Sequence, residues 1–180
     1  MRKKIVIAIM AIMGFSGMFH KAQCQSEEGE NRGFSVVIGD EAPEFTIQYL
    51  DGTEVNLSDL RGKVVMLQFT ASWCKVCRKE MPYIEKQIWQ KFKDNKDFVL
   101  VAIDLKEEKE KVEKFLSTQR ITYPISLDPK GEIFKLYTEP YAGVTRNVLV
   151  DRDGRIAFLT RLFDEEELER LKVQIAELLQ

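Results

Sequence analysis

The sequence predicts a single α/β domain: a central mixed β-sheet flanked by helices, with a small β-hairpin extension at its N-terminal end. Two observations favour this fold class. Strands and helices alternate from residue 64 to residue 119, which is typical of parallel strands, whereas a strand pair near the end of the chain is joined by a tight turn and must be antiparallel. With 180 residues and 44% hydrophobic content, the chain can bury one ordinary core.

The first half of the domain contains two predicted buried strands around one long helix. Asp51-Gly52 between apolar segments indicates the turn of the N-terminal hairpin. The apolar runs 64–69 and 98–103 are typical of strands buried on both faces. Between them, residues 74 to about 95 have helix-forming composition, and Pro82 is expected to kink this helix because proline lacks a backbone donor.

The second half is predicted to alternate in the same way and then to end in a hairpin and a helix. Residues 107–119 form an amphipathic helix, and a short helix near 133–137 follows the segment 123–127. A turn at Asp153-Gly154 joins a strand at 148–150 to one at 156–159. Asp164 is the expected cap of a last helix that runs to Leu179.

The N-terminal region has the pattern of an export signal. Three basic residues precede an uncharged run from Ile5 to Phe19, which is shorter than the about 20 apolar residues that a membrane span needs. We therefore predict a signal peptide over 1–24, with an uncleaved anchor as the alternative. Cys24 is either a lipidated first mature residue or the last residue of an ordinary signal. The polar residues 25–35 are then a flexible tether, and 36–180 form the domain.

Charge and histidine content exclude several function classes. Residues 1–24 carry four bases and no acid, so the net charge changes from −2 to −6 without them, which argues against nucleic acid as a partner. The only histidine, His20, lies in the predicted signal. With Cys74 and Cys77 as the only sulfur or imidazole ligands left, we expect no metal site, and no nucleotide-binding fingerprint occurs either.

Cys74 and Cys77 form a CxxC pair where a buried strand ends and a helix begins, which favours redox chemistry. The amides of a helix N-terminus stabilise a thiolate, the nucleophile of disulfide exchange. Cys74 is expected to attack a substrate disulfide and Cys77 to resolve the mixed disulfide. A purely structural bridge is disfavoured because it closes too small a loop, and haem attachment because Arg78 stands where a histidine is needed.

The chain resembles the TlpA-type and ResA-type extracytoplasmic branch of the thioredoxin superfamily, over about residues 36–180. The resemblance implies a thioredoxin-like fold and the function of a thiol:disulfide oxidoreductase. It rests on four segments together: Ala42-Pro43-Glu44-Phe45, residues 57–63 (LSDLRGK), residues 69–82 (FTASWCKVCRKEMP) and residues 148–154 (VLVDRDG).

The resemblance also implies roles for residues around the cysteines. Glu80, three residues past Cys77, would tune proton transfer at the thiols; its alternative is a solvated charge on the helix. Trp73 would shape the substrate surface; its alternative is core packing. Val144 and Thr145 lie where the family places its substrate loop, but Thr145 replaces the usual cis-proline, so we expect a trans bond before it. Val76 likewise replaces the usual proline between the cysteines.

By the same resemblance, we expect the chain to be a reductase of protein disulfides that uses only its dithiol and needs no other cofactor. Expected partners are oxidised exported proteins, cysteine pairs awaiting haem attachment, and a membrane thiol carrier that supplies electrons. The expected location is the periplasm or cell envelope, with an anchor at a lipidated Cys24 or an uncleaved N-terminal segment. We expect a monomer.

Two other functions remain open. Thr145-Arg146 is similar to the peroxiredoxins, which place an arginine near a peroxide-binding cysteine, so a thiol peroxidase is one alternative; Arg146 is otherwise a surface cation. Ala71 argues against it, because peroxiredoxins carry a threonine three residues before their cysteine. A non-catalytic binding module is the other alternative, which the intact CxxC pair disfavours and the missing cis-proline favours.

Overall fold

A computed structural model describes residues 31–180. The predicted signal over 1–24 and most of the predicted tether lie outside the described residues. Of the tether, only 31–35 are described. There Phe34 is buried and forms an isolated antiparallel bridge with Thr138, so the ordered contacts of the domain begin before residue 36.

A five-stranded mixed sheet forms the centre of the domain, in the order β5-β4-β3-β6-β7. The central strand β3 runs parallel to β4 and antiparallel to β6, while β4–β5 is a parallel pair and β6–β7 an antiparallel pair. The strands are β1 Thr46–Gln48, β2 Glu54–Asn56, β3 Val64–Thr70, β4 Phe98–Leu105, β5 Ile125–Asp128, β6 Arg146–Val150 and β7 Ile156–Arg161. Every residue of β3 and β6 is buried, as expected for strands covered on both faces.

Helices cover both faces of this sheet and enclose two apolar clusters. The helices are α1 Lys75–Ile84, α2 Gln90–Phe92, α3 Lys109–Gln119, α4 Glu132–Tyr137 and α5 Glu165–Leu178. Residues of α1, α3 and α5 pack on the face that carries Met66 and Leu100. Residues of α4, with the N-terminal segment, pack on the face that carries Leu67 and Val148. No helix in the described part of the chain is long and apolar enough to cross a membrane.

The N-terminal segment is held to the domain by backbone hydrogen bonds. Strands β1 and β2 form the predicted hairpin around the Asp51-Gly52 turn, as a separate two-stranded sheet. Its Ile47 is fully buried. The backbone N–H of Ala42 donates to the Gly154 oxygen, which lies in the β6–β7 turn. The fold class predicted from sequence, a mixed sheet with flanking helices and an N-terminal hairpin, is confirmed.

Two helices differ in detail from their predictions. The long helix after the CxxC pair contains Pro82 as expected, but it departs from α-helical geometry just beyond it, in a π-helical turn at Glu85–Trp89. Such a π-helical turn changes the backbone hydrogen-bond pattern locally without ending the helix. The helix predicted from residue 107 begins at Lys109, because the backbone of Glu108, its N-cap residue, is extended, with φ −81° and ψ 153°.

Candidate active site

The two cysteines lie where the sequence places them, between the end of β3 and the start of α1. They form a disulfide with a Cα–Cα distance of 5.3 Å. Cys74 is the N-cap residue of α1, and its sulfur accepts a hydrogen bond of 3.1 Å from the Cys77 backbone N–H. This contact would stabilise a thiolate at Cys74. Cys74 is 8% exposed and Cys77 has no exposed surface, so a substrate reaches Cys74 first.

Thr145 faces both sulfurs from the residue just before β6. Its Oγ1 lies 3.1 Å from the sulfur of Cys74 and 3.1 Å from that of Cys77. No cis peptide bond occurs within residues 31–180, so the Val144–Thr145 bond is trans, as expected from the missing proline. A hydroxyl can donate a hydrogen bond, which a proline ring cannot. The substitution therefore gives the sulfurs a polar partner.

Glu80, three residues after Cys77 on α1, is buried in a network of uncharged polar side chains. Its carboxylate accepts hydrogen bonds from the amide of Gln68 at 3.0 Å and from that of Asn147 at 2.9 Å. The Tyr123 hydroxyl donates to the other end of Gln68 at 2.8 Å, and Asn147 also donates to Thr160 at 2.8 Å. Gln68 and Asn147 are register partners on β3 and β6, which explains why both amides meet one carboxylate.

Burial of the carboxyl raises the pKa of Glu80 to about 7, although the hydrogen bonds from Gln68 and Asn147 act in the opposite direction. No cation forms an ion pair with Glu80 in the described part of the chain. The alternative of a solvated charge on the helix is wrong, because the side chain has no exposed surface. A group with this pKa can exchange a proton near neutral pH.

A pair of carboxylates that the sequence analysis missed, Asp104 and Glu107, lies near the segment before Cys74, and Glu107 binds this segment directly. Glu107 accepts hydrogen bonds from the backbone N–H and the hydroxyl of Ser72, and it pairs with Lys111. Burial acts to raise its pKa, but the contacts with Lys111 and Ser72 hold the pKa below the ordinary value. Burial first, and then the charge of Glu107, raise the pKa of Asp104 to about 8. Glu107 thereby ties the start of α3 to the loop that carries the redox pair.

Arg146 is buried, so its interpretation as a surface cation is wrong. It is 1% exposed and lies on the opposite face of the sheet from Asn147. Its guanidinium donates to the Arg32 carbonyl at 2.9 Å and stacks over the Phe34 ring at 4.7 Å from the centroid. Burial, and then the neighbouring charge of Arg161, lower the pKa of Arg146 to about 10. Gly33, with φ +78°, allows this close approach, since a Cβ there would lie 2.5 Å from Arg146 Nη2.

Trp73 is 57% exposed, so its alternative as a core residue is also wrong. It lines a groove of about 300 Å³ together with Cys74, Val144 and Thr145. The structure thus brings five of the six residues singled out from sequence around one surface: Trp73, Cys74, Val144 and Thr145 at the groove and Cys77 just behind it. Glu80, the sixth, does not line the groove: it is buried and hydrogen-bonded to Gln68 and Asn147. Residues 31–180 contain no group of three His, Cys, Asp or Glu side chains that could hold a metal ion.

Comparison with known families agrees with this geometry. The family model described as AhpC/TSA matches residues 38–159. The thiol-disulfide oxidoreductase ResA of Bacillus thuringiensis subsp. konkukian is 34% identical over 135 residues, which is 75% of each chain. The thioredoxin-like protein YneN of Bacillus subtilis is 31% identical over 175 residues, or 94% of this chain and 99% of that one.

Two solved structures share the fold over most of the chain. A proposed protein disulfide isomerase from Bacteroides thetaiotaomicron, solved in solution, is 59% identical with a TM-score of 0.79, and the match covers 82% of this chain and 92% of that one. A proposed thiol:disulfide interchange protein DsbE from Chlorobium tepidum is 34% identical with a TM-score of 0.71, covering 81% and 100%.

Proposed function

Since this chain belongs to the AhpC/TSA family and is a ResA-like thiol-disulfide oxidoreductase of the thioredoxin superfamily, we propose that it works as a reductase of disulfides in other proteins. One observation carries the proposal: Cys74 combines an N-cap position, which favours its thiolate, with a place on the substrate groove. Cys77 lies behind it, within reach of the same sulfur.

The proposed reaction is a two-step exchange that moves two electrons. The Cys74 thiolate attacks one sulfur of the substrate disulfide, the substrate bond breaks, and the leaving thiolate takes up a proton. The Cys77 thiolate then attacks the Cys74 sulfur of the mixed disulfide and releases the second substrate thiolate. The substrate gains two electrons and two protons, and the protein ends in the Cys74–Cys77 disulfide seen in the structure. A dithiol donor restores the reduced form.

Two side chains are proposed to assist these steps. Thr145 Oγ1, at 3.1 Å from both sulfurs, can donate a hydrogen bond to whichever sulfur carries the negative charge. Glu80 can accept a proton near neutral pH, because burial has raised its pKa to about 7. In its ionised form Glu80 can therefore act as the base that takes up the proton lost from Cys77 before the second step.

We also propose the setting in which this exchange takes place. The proposed location is the periplasm or cell envelope, as the resemblance to the extracytoplasmic ResA-type branch implies. There the chain would be a monomer, either free or anchored through Cys24 or an uncleaved N-terminal segment. Substrates would be oxidised exported proteins or cysteine pairs awaiting haem attachment, and a membrane thiol carrier would supply electrons. The signal-like pattern over residues 1–24 supports this setting.

Insulin-disulfide reduction with a defined reductant tests the proposal. The wild-type protein should accelerate the reaction, whereas Cys74→Ser should abolish it. Cys77→Ser should instead accumulate a mixed disulfide with insulin, because the resolving thiol is missing. Fast consumption of hydrogen peroxide in a parallel assay would point to a thiol peroxidase. Failure in both assays by a folded, reducible protein would point to a binding module.

A further inference from the structure

The charged side chains that line the groove beside Cys74 are both cations. They are Lys75, the first residue of α1, and Arg161, the last residue of β7. Within residues 31–180 no Asp or Glu lines this groove. The complete chain, in contrast, has a net charge of −2. The surface next to the reactive sulfur therefore has the opposite sign from the molecule as a whole.

Arg161 has no carboxylate of its own among the described residues. It appears in none of their ion pairs. Glu167 accepts a hydrogen bond of 3.3 Å from the backbone N–H of Arg161, but its ion pair is with Arg32. The Arg161 Nε is buried and has no hydrogen-bond partner in this part of the chain. Because Arg161 lines the groove and has no ion-pair partner among these residues, its charge is available to an acidic group on a ligand.

Lys75 supplies the second charge from the other wall of the groove. It is exposed, directly follows Cys74, and forms no ion pair with any residue from 31 to 180. Lys75 and Arg161 thus both lack an ion-pair partner in the described part of the chain, and both line the groove at Cys74. Together they give a site that is electrostatically complementary to carboxylates.

The remaining wall of the groove is apolar and faces solvent. Trp73 is 57% and Leu162 49% exposed, and Val76 and Val144 also line the groove. Leu162 has a left-handed backbone conformation, with φ +65°, and its N–H donates to the Thr145 carbonyl at 3.1 Å. That conformation is costly for leucine, yet it leaves an apolar side chain exposed beside the reactive sulfur. Exposed apolar groups around a reactive centre are typical of a binding surface.

We propose that this groove selects disulfides whose flanking peptide carries a carboxylate, from Asp or Glu, and an apolar side chain next to the cysteine. Lys75 and Arg161 would contact the carboxylate, and Trp73 and Leu162 the apolar side chain. The inference rests on the proposed function, because the groove matters only if Cys74 attacks a substrate disulfide. It adds a class of substrate that the redox pair alone does not specify.

Three short synthetic peptides test this selectivity. Each peptide contains one cysteine that is followed directly by leucine, and each is supplied as its disulfide-linked dimer. The peptides differ only in the residue just before the cysteine and the residue just after the leucine, which are both Glu, both Gln or both Lys. The pre-reduced protein is mixed with each, and the rate of oxidation of its dithiol is measured. We expect the Glu peptide to react about two- to fivefold faster than the Gln peptide and the Lys peptide to react more slowly, as for partly exposed charge pairs.

Variants of the two cations should change this preference in a defined way. Arg161→Gln and Lys75→Gln should each lower the ratio of the Glu rate to the Lys rate by about two- to fivefold, and Arg161→Glu should reverse it. Lys79→Gln is the matched control: Lys79 is an exposed cation on the same helix as Lys75 but does not line the groove. Raising the salt concentration from about 0.02 M to about 0.5 M should reduce the wild-type ratio towards one.

The outcomes separate this inference from the proposed function. Equal rates for the three peptides, or a ratio that Arg161→Glu leaves unchanged, would overturn the carboxylate selectivity while the redox function stands. No reaction with any of the peptides would overturn the proposed function and the inference with it. The Gln peptide reports the redox step without the charge, so a change in its rate in Arg161→Gln would show a general loss of activity.

Discussion

Replacing Glu80 by glutamine should remove a pH dependence of stability that the buried carboxyl imposes on the fold. Glutamine has nearly the same shape, so the cavity stays filled. The new side-chain amide brings its own N–H donors, which Asn147 can satisfy by turning its amide, because its Oδ1 has no partner within residues 31–180. Thr160, which accepts from Asn147 at 2.8 Å, can then donate instead. The substitution therefore changes the charge and preserves the network.

The magnitude follows from the pKa. The unfolded chain ionises Glu80 near its ordinary pKa of 4.5, whereas the folded protein holds the proton until about pH 7. Between these values the native state binds more protons than the unfolded state, so the free energy of unfolding falls as pH rises from about 4.5 to about 7, and this contribution is constant above it. One pKa unit corresponds to about 1.4 kcal/mol, so the loss from Glu80 between pH 5 and 8 is about 2 kcal/mol.

Urea unfolding of the oxidised protein at about pH 5 and pH 8 measures this term, because neither cysteine titrates in the disulfide. Wild type should lose about 2 kcal/mol more than Glu80→Gln over this interval. Asp104, with a pKa of about 8, also lowers the free energy of unfolding as pH rises. Its contribution is the same in wild type and in Glu80→Gln, so it cancels when the two losses are compared. Asp104→Asn is the control and should retain the Glu80 contribution. Equal losses in wild type and Glu80→Gln would refute the assignment of a raised pKa to Glu80.

Three further substitutions test other parts of the structure. Thr145→Val should raise the pKa of the Cys74 thiol, because the thiolate loses a hydroxyl donor; the pH profile of its alkylation by iodoacetamide should move to higher pH, and an unchanged profile would contradict it. Asp164→Ala should lower the free energy of unfolding by about 1 kcal/mol in urea titration, since the side chain caps α5 through the Glu167 N–H at 2.8 Å; no loss would mean that water replaces the cap. Gly33→Ala should cost about 1 to 2 kcal/mol or more, because φ is +78° and the new Cβ would collide with the Arg146 guanidinium; a thermal melt matching wild type would rule out that contact.

The main elements of the fold could be predicted because their signals are local. The run from Val64 to Thr70 is apolar nearly throughout, which is typical of a strand covered on both faces, and it is the central strand of the sheet. The Asp153-Gly154 turn identified the β6–β7 hairpin. The position of the CxxC pair could be predicted from local signals too, because a predicted strand ends just before it and a predicted helix begins at it.

The polar network around Glu80 could not be read from the sequence, because it depends on contacts between distant residues. Gln68 and Asn147 are 79 positions apart and meet only through the antiparallel register of β3 and β6. A single glutamine inside an apolar run gives no sign of its partner. The burial of Arg146 was missed for the same reason: Phe34, which covers it, belongs to a segment predicted to be a tether. Phe34 and Val36 alternate with the exposed Ser35, but three residues are too short a pattern to predict that the segment packs on the domain.

The structure suggests how a thioredoxin-like site can operate without its cis-proline. Strands β3 and β6 end next to the cysteines, and neighbouring residues of β6 point to opposite faces: Asn147 to the Glu80 network and Arg146 to the Phe34 side. Thr145 directly precedes Arg146 in the chain, and the buried side chains of Arg146 and Asn147 fix its position. Its hydroxyl lies 3.1 Å from each sulfur, and its peptide bond is trans. A proline restricts this position through its ring, whereas here buried contacts on both sides of the sheet supply the restriction. It follows that weakening either neighbour should disturb the Cys74 thiol through Thr145, even though neither Asn147 nor Arg146 is hydrogen-bonded to a sulfur.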